Sequence, residues 1–254
     1  MAGPVLSEDI VGYPISSNTR AEIVAQIMDW IGSGEDKCRY FACANIHSIE
    51  VAEADPDFRR ALQQADVLTP DGIGMIYASR LFHGNVRERV TGMDVFLGTC
   101  EAMQLAGGGS CFFLGSTEET LSSIRQRMQA DFPAIEVAGT YSPPFRPEFT
   151  AEDNEAMLDA VNSSGAQVLW VGLTAPKQEK WIYAHRDRLA VAVAGPVGAV
   201  FDFFTGKIGR AGPTMRRFGL EWLHRLASEP RRMWPRYHSV PKFVARVASA
   251  RIRR

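Results

Sequence analysis

The sequence lacks several features that would assign it to a membrane or secreted class. It has no apolar run approaching the roughly 18 residues that a membrane-spanning helix needs. The opening residues, MAGPVLSEDIVGYPI, contain neither a basic segment nor an apolar core, so they do not predict a signal peptide. Cysteine is scarce and forms no CxxC pair, which argues against a disulfide framework or a zinc site. We therefore expect reduced thiols in a cytoplasmic protein at Cys38, Cys43, Cys100 and Cys111.

Two common nucleotide motifs are also missing. No GxxxxGK[ST] segment is present, and the glycine run at 107–109 precedes a predicted strand where a dinucleotide fingerprint would follow one. These absences argue against ATP and NAD enzymes of those designs. The composition, 46% hydrophobic and 22% charged, excludes disordered, collagen-like and coiled-coil chains.

The net charge of −1 conceals a strong division along the chain. Residues 207–254 contain 13 Lys and Arg against two Glu, a net charge of +11. The preceding 206 residues carry the other 15 basic residues against 27 acidic ones, a net charge of −12. An acidic body with a basic tail predicts an anionic partner: phosphate, lipid headgroups or nucleic acid.

Short apolar runs alternate with longer amphipathic ones in the first 206 residues. The short runs predict buried strands at 40–45, 66–69, 111–116, 135–141, 167–173 and 191–198. The longer runs predict helices at 18–32, 55–65, 73–82, 94–106, 117–130, 151–162 and 177–188. Asp55 before Pro56 predicts one helix start, and Ser116 with Glu119 predicts a capping box at another. The alternation predicts an α/β fold, with a mostly parallel sheet covered by helices on both faces.

The chain changes character after a Gly/Pro break near residue 206. We therefore divide it into a catalytic core, 1–206, and a basic amphipathic appendage, 207–254. Trp and Arg mixed with Leu are typical of a helix in a membrane interface. An ordinary C-terminal helix packed on the body and a nucleic-acid-binding tail are the alternatives, although the bulky apolar residues disfavour nucleic acid.

Polar residues follow two predicted strands where a ligand crevice is expected. Asp71 of TPDGIG ends one strand and precedes a helix, so it could act as a general base or could be an ordinary turn aspartate. Asn45 of ACANIHS ends another strand and could orient a sugar hydroxyl, while His47 is more typical of a helix start. Arg89 precedes a third helix, where an anion could bind.

Two further segments contain candidate binding residues. In VGLTAPKQEKW, Thr174 ends a strand, and Lys177 and Gln178 lie in the first helical turn, where they could reach a diphosphate or a sugar. Lysine is unfavourable at that end of the helix dipole, which favours a functional use. Asp202 lies among apolar residues and must be paired or bind something. The Asp-Pro-Asp at 55–57 spells a DxD metal motif, but its place at a helix start indicates a structural role.

Taken together, these segments resemble the WecG/TagA/CpsF family of bacterial glycosyltransferases, glycosyltransferase family 26. The resemblance runs in family order from about residue 40 to 240, and it rests on the following segments: CANIHS, ADVLTPDGIGM, RVTGMDVF, FFLGS, VGLTAPKQEKW, GAVFDFFTGKIGRAGP and GLEWLHRLASEPRRMWPRY. The resemblance implies a Rossmann-like core whose C-terminal appendage helps to form the site. It also implies inverting transfer of a sugar from a UDP-sugar to a polyprenyl-diphosphate-linked saccharide, in the synthesis of cell-surface polysaccharide.

The resemblance also implies roles for individual residues. It makes Asp71 the general base and matches Asn45, Gln178 and Asp202 to binding positions. Diphosphate-binding arginines of the appendage correspond to Arg225, Arg232 and, less securely, Arg236. No metal requirement is expected, and the protein is expected at the inner face of the cytoplasmic membrane, on anionic lipid and with no nucleic-acid partner.

Two residues depart from the family pattern. Cys43 stands where the family often has threonine, and Thr174 stands in a position often occupied by glycine, so both could alter the substrate pocket. The sequence leaves the donor sugar, the acceptor glycan and a homo-oligomer open. A membrane-associated protein that binds nucleotide-sugar or glycolipid without turnover is the main alternative, and a nucleotide-sugar hydrolase is another.

Overall fold

The computed structural model describes residues 3–208 and 239–252. The strands are β1 (Ser7–Ile10), β2 (Tyr13–Ser16), β3 (Arg39–Ala44), β4 (Val67–Pro70), β5 (Gly109–Gly115), β6 (Ile135–Tyr141), β7 (Val168–Gly172) and β8 (Val193–Pro196). The helices are α1 (Arg20–Gly32), α2 (Ile46–Ala54), α3 (Pro56–Gln63), α4 (Ile73–Leu81), α5 (Gly92–Leu105), α6 (Glu118–Asp131), α7 (Ala151–Asn162), α8 (Lys177–His185), α9 (Val200–Phe204) and α10 (Ser239–Ile252).

The strands form a single sheet in the order β1-β2-β4-β3-β8-β7-β5-β6. Only the β1–β2 pair is antiparallel among these neighbours, and every other pair runs parallel. Helices join the parallel strands, so the carboxyl ends of β3, β4, β5, β6, β7 and β8 lie at the same edge. All six strands predicted from the apolar runs are present.

Helices cover both faces of the sheet because successive strand residues point to opposite sides. Phe41 of β3 packs with residues of α1, α5, α6 and α9 on one face. On the other face, Ala42 and Ala44 join residues of α2, α3 and α4, and Tyr40 joins residues of α7 and α8. The predicted α/β class with a Rossmann-like, mostly parallel core is confirmed.

The β1–β2 hairpin is absent from the sequence-based prediction. Ile10 pairs with Tyr13, so the turn consists of Val11 and Gly12. Both have left-handed backbone, with φ values of 50° and 90°. Hairpin turns of this kind are usually signalled by Asn-Gly or Asp-Gly, and a valine in the first position hides the signal.

Helix α2 is also absent from the predicted elements. It begins directly after β3, where the Asn45 side chain accepts from the Ser48 backbone N–H at 3.0 Å. In return, Ser48 Oγ accepts from the Asn45 N–H at 2.8 Å. Serine here replaces the Glu or Gln of the usual capping box, so the pattern is not visible in a search for that motif.

One of the two predicted helix starts is correct and the other is wrong. The Asp55 carboxylate accepts two backbone N–H groups at the start of α3, at 3.1 and 3.0 Å. The predicted box of Ser116 and Glu119 does not form, because Thr117 caps α6 and accepts from the Thr120 N–H at 3.3 Å. Ser116 has left-handed backbone (φ 61°), so the chain is still reversing direction there and the helix starts one residue later.

Helix α10 is the described part of the predicted C-terminal appendage, and it packs on α2. Phe243 and Val247 are buried in the cluster that contains α2 residues. Arg246 forms salt bridges with Glu50 at 3.1 Å and Glu53 at 2.6 Å. Among the described helices, none has the length and apolarity to cross a membrane.

Candidate active site at the carboxyl edge of the sheet

The ends of β3 and β4 bring two predicted site residues together. Ala44 lies opposite Pro70 in the parallel register, so the next residues, Asn45 and Asp71, leave neighbouring strands side by side. The Asp71 N–H donates to the Ala44 carbonyl at 2.8 Å, which fixes the Asp71 backbone against β3. Asp71 is half-buried at this edge, where ligands bind in open α/β sheets.

The amide of Asn45 has a defined orientation. Because its Oδ1 caps α2, its Nδ2 group is the end that can donate to a substrate hydroxyl. Gly72, the residue after Asp71, packs against the Asn45 side chain. Its φ is +137°, and a Cβ there would lie 3.7 Å from the Asn45 Cβ. The strand ends therefore hold a carboxylate and an amide donor beside each other.

A basic residue lies on the segment that follows α4. The Val90 N–H donates to the Pro70 carbonyl at 3.1 Å, so this segment runs along the end of β4. Arg89, half-buried, is therefore one residue from the strand end that leads into Asp71. Thr91 then caps α5 through a capping box with Asp94.

Cys43 lies beneath this edge, two residues before Asn45. The Thr69 hydroxyl donates to its Sγ at 3.3 Å, and a Cβ at Gly92 would lie 3.6 Å from that sulfur. Burial raises the pKa of the Cys43 thiol well above its usual range, and the negative charge of Asp71 raises it further. All four cysteines are free, as expected from the sequence.

Helix α8 places two buried polar residues between the ends of β7 and β8. Gln178 Nε2 donates to Glu179 Oε1 at 2.9 Å. The Gln178 amide packs on the turn after β8, since a Cβ at Gly198 would lie 3.2 Å from Gln178 Oε1. Burial raises the pKa of Glu179 to about 7. The negative charge of Glu179 also contributes to the raised pKa of Cys43.

A large cavity of about 1530 Å³ opens on the other side of the Gly198 turn. It brings together three predicted site residues: Thr174 after β7, Lys177 of α8 and Asp202 of α9. Thr117, the capping residue of α6, also lines it, so the N-terminus of this helix borders the cavity. The cavity thus lies at the carboxyl ends of β5, β6, β7 and β8.

Lys177 already has partners in this structure. Its Nζ donates to the Arg146 carbonyl at 2.6 Å and lies 3.4 Å from the centre of the Phe149 ring. These contacts fasten the proline-rich segment 142–149, which forms one wall of the cavity. Burial lowers the pKa of Lys177.

Three of the predicted residues, Arg225, Arg232 and Arg236, lie outside the described residues. Within residues 3–208 and 239–252, no group of three or more His, Cys, Asp and Glu side chains could hold a metal ion. Asp55 and Asp57 of the DxD sequence pair instead with Lys180 at 2.9 Å and Arg60 at 2.6 Å.

One buried residue of the site, Glu179, is absent from the sequence-based candidates. The only sequence signal is its place directly after Gln178 in the PKQE segment. A glutamate in a first helical turn ordinarily serves the helix dipole, and burial is not visible from that position.

Most of the chain is similar to known glycosyltransferases. The model of the Glycosyl transferase WecG/TagA/CpsF family matches residues 8–254. A Bacillus spizizenii protein, named N-acetylglucosaminyldiphosphoundecaprenol N-acetyl-beta-D-mannosaminyltransferase, is 32% identical over 84% of this chain and 80% of its own length. A protein with the same name from Bacillus subtilis is 30% identical over 76% of this chain and 72% of its own length. Another from Staphylococcus aureus is 23% identical over 96% of this chain and 92% of its own length.

Proposed function

From the fact that this chain belongs to the WecG/TagA/CpsF family of glycosyltransferases, we propose that it transfers an N-acetylhexosamine from a UDP-sugar to a polyprenyl-diphosphate-linked saccharide. The named relatives suggest N-acetylmannosamine as the sugar and N-acetylglucosaminyl-diphosphoundecaprenol as the acceptor. Both are the first substrates to test.

The observation that carries this proposal is the pairing of Asp71 with Asn45 at the carboxyl edge. Neighbouring parallel strands end in these two residues, and a backbone hydrogen bond from Asp71 to Ala44 holds them together. A carboxylate beside an amide donor suits an acceptor hydroxyl, because the amide can orient the hydroxyl while the carboxylate takes its proton.

In the proposed reaction, Asp71 accepts the proton of the acceptor hydroxyl. The hydroxyl oxygen attacks the anomeric carbon in line, and the new glycosidic bond forms as the bond to the donor diphosphate breaks. The configuration at that carbon is therefore inverted, and UDP leaves with the bonding electron pair. General-base catalysis of this kind contributes about 10²- to 10⁴-fold to the rate.

The 1530 Å³ cavity supports a site for the nucleotide-sugar donor. Its volume suits a ligand of that size, and the N-terminal N–H groups of α6 can approach the diphosphate. Thr174, Lys177 and Asp202 line the cavity and are proposed to contact the donor, as is Gln178 beside it.

Arginines are proposed to neutralise the charge that develops on the leaving diphosphate, with no metal requirement. Arg89 lies on the segment next to Asp71, and the family resemblance adds Arg225, Arg232 and Arg236. Arginine suits this task because its planar guanidinium binds phosphate oxygens through two hydrogen bonds.

The exposed surface of α4 supports a peripheral location at the inner face of the cytoplasmic membrane. Ile73, Tyr77 and Leu81 follow one another at four-residue spacing, with exposed fractions of 41%, 54% and 47%. Helix α4 begins two residues after Asp71, so this apolar surface starts beside the proposed base. The proposed partner of this apolar surface is the lipid part of the acceptor within its bilayer.

A transfer assay with a panel of UDP-sugars and a short-chain polyprenyl-diphosphate N-acetylglucosamine tests this function. We expect a lipid-linked disaccharide, and we expect Asp71→Asn to lose transfer while still binding the donor. Donor binding without transfer by the unaltered protein would favour the non-catalytic binding protein. Release of free sugar without lipid acceptor would favour a hydrolase.

A further inference from the structure

Gln178 and Glu179 form an isolated polar pair inside the protein. They are the second and third residues of α8, and only 5% and 4% of their surfaces are exposed. Their neighbours in the same turn point elsewhere, because Lys177 contacts Arg146 and Lys180 contacts Asp55. Neither lysine of this helical turn therefore forms an ion pair with the buried Glu179.

The buried carboxyl of Glu179 has no opposite charge to balance it in the part of the chain that the structure describes. Its carboxylate accepts from the Gln178 amide and from its own backbone amide, and burial raises its pKa to about 7 despite both. A helix-capping role does not explain why a glutamate is buried at this position. A glutamate at this position normally binds the N–H of the capping residue, which here is Pro176 and has none.

Each member of the pair also has a buried atom that finds no hydrogen-bond partner among residues 3–208 and 239–252. These atoms are Gln178 Oε1 and Glu179 Oε2. Leaving a buried polar atom unpaired costs stability, and such atoms in native proteins call for a specific reason. Packing alone does not supply one, since an apolar side chain of similar size would fill the space without the cost.

The hydrogen bond within the pair sets the orientation of the Gln178 amide. An amide has a donor end and an acceptor end, so the contact with Glu179 Oε1 fixes which end of the Gln178 amide is the donor. The amide in this orientation packs on Gly198, where a Cβ would lie 3.2 Å from Oε1 and 3.4 Å from Nε2. Gly198 lines the donor cavity on one side and packs on the Gln178 amide on the other. Its φ of +52° is the left-handed conformation that glycine tolerates best.

We propose that Glu179 is a positioning residue for sugar transfer: it orients the Gln178 amide and, through it, the Gly198 turn between the donor cavity and the Asn45–Asp71 edge. Glu179 needs no contact with the sugar to act in this way. The inference rests on the proposed function, since it assigns a role in that same site.

The test compares Glu179→Leu with Glu179→Gln, each alone and together with Gln178→Ala. Glutamine keeps both the size and an oxygen that accepts from Gln178, so kcat/KM should stay within about threefold of the unaltered protein. Leucine removes the acceptor, and kcat/KM should fall about 10- to 100-fold, the range expected for one buried hydrogen bond. The melting temperature of Glu179→Leu should not fall, because leucine also removes an uncompensated buried carboxyl.

The double variant separates positioning from a general structural role. If Glu179 acts through Gln178, then Glu179→Leu should change kcat/KM less than about twofold when Gln178 is already alanine. Losses that multiply in the double variant, or wild-type kcat/KM in Glu179→Leu, would overturn the proposal. Equal losses in the leucine and glutamine variants would overturn it as well.

A second readout does not depend on transfer. The side-chain NH₂ signal of Gln178 in a ¹⁵N–¹H spectrum can be assigned as the one lost in Gln178→Ala. Its protons should exchange with solvent much more slowly in the unaltered protein and in Glu179→Gln than in Glu179→Leu. If no sugar is transferred by any form, the proposed function fails, while this exchange comparison still decides whether Glu179 holds Gln178.

Discussion

Replacing Glu179 with glutamine should change how the stability of the protein depends on pH. The carboxyl is buried beside the Gln178 amide, and no cation among the described residues balances it. The native state therefore favours the neutral, protonated form. The unfolded chain exposes the same carboxyl to water, where it ionises normally.

The direction and size of the effect follow from the two pKa values. Between its ordinary pKa of 4.5 and the native value of about 7, Glu179 is ionised in the unfolded chain and protonated in the native one. Stability contributed by this group therefore falls as pH rises through that range, and it is constant below and above it. At about 1.4 kcal/mol for each pH unit, the total is about 3 kcal/mol.

Urea unfolding of the unaltered protein and Glu179→Gln from pH 4.5 to 8 measures this difference. Glutamine does not titrate, and the other groups at the edge are the same in both proteins. The variant should gain about 3 kcal/mol of relative stability across the range, with most of the gain complete by pH 7. A difference that stays constant from pH 4.5 to 8 would refute the account of Glu179 as an uncompensated buried acid.

Three further predictions follow from individual contacts. Lys177→Met should raise KM for the donor about three- to tenfold, with kcat unchanged, because the 2.6 Å bond that fastens Arg146 is lost; steady-state kinetics measure this, and an unchanged KM would contradict it. Phe243→Ala should lower the free energy of unfolding by about 3 kcal/mol in urea if α10 packs on α2, and no loss would show that it does not. Because its pKa is raised in the native protein, the half-buried Cys43 thiol should react with a disulfide reagent at pH 8 far more slowly than in urea, and equal rates would contradict the raised pKa.

The fold could be predicted where one physical signal dominated. Strand β6 and helix α7 have the predicted bounds, because a short apolar run and an amphipathic pattern of 3.6-residue period indicate different elements. β6 is nevertheless mostly half-buried, and not fully buried as predicted, since it is the edge strand of the sheet. The β1–β2 hairpin could not be predicted, since Val11 adopts a conformation that its side chain disfavours. The start of helix α2 could not be predicted either, because its capping box is formed by Asn45 and Ser48 and lacks the usual Glu or Gln.

The candidate site likewise has residues whose proximity could be predicted and contacts that could not. Parallel strands end at one edge, so the proximity of Asn45 and Asp71 follows from their places after β3 and β4. The connection of Gln178, Glu179 and Gly198 depends on how α8 and the β8 turn pack, which no local pattern encodes. The contact of Lys177 with Arg146 spans 31 residues and is likewise a product of tertiary packing.

The most direct test of the central claim measures sugar transfer by Asp71→Asn at saturating donor and acceptor, with donor affinity measured in parallel. Asp131→Asn is the matched control, because Asp131 is an exposed carboxylate paired with Arg127 at the far end of α6. If Asp71 is the general base, Asp71→Asn should lose about 10²- to 10⁴-fold in kcat while its donor Kd stays unchanged, and Asp131→Asn should keep both values. Transfer by Asp71→Asn at the unaltered rate would contradict that role.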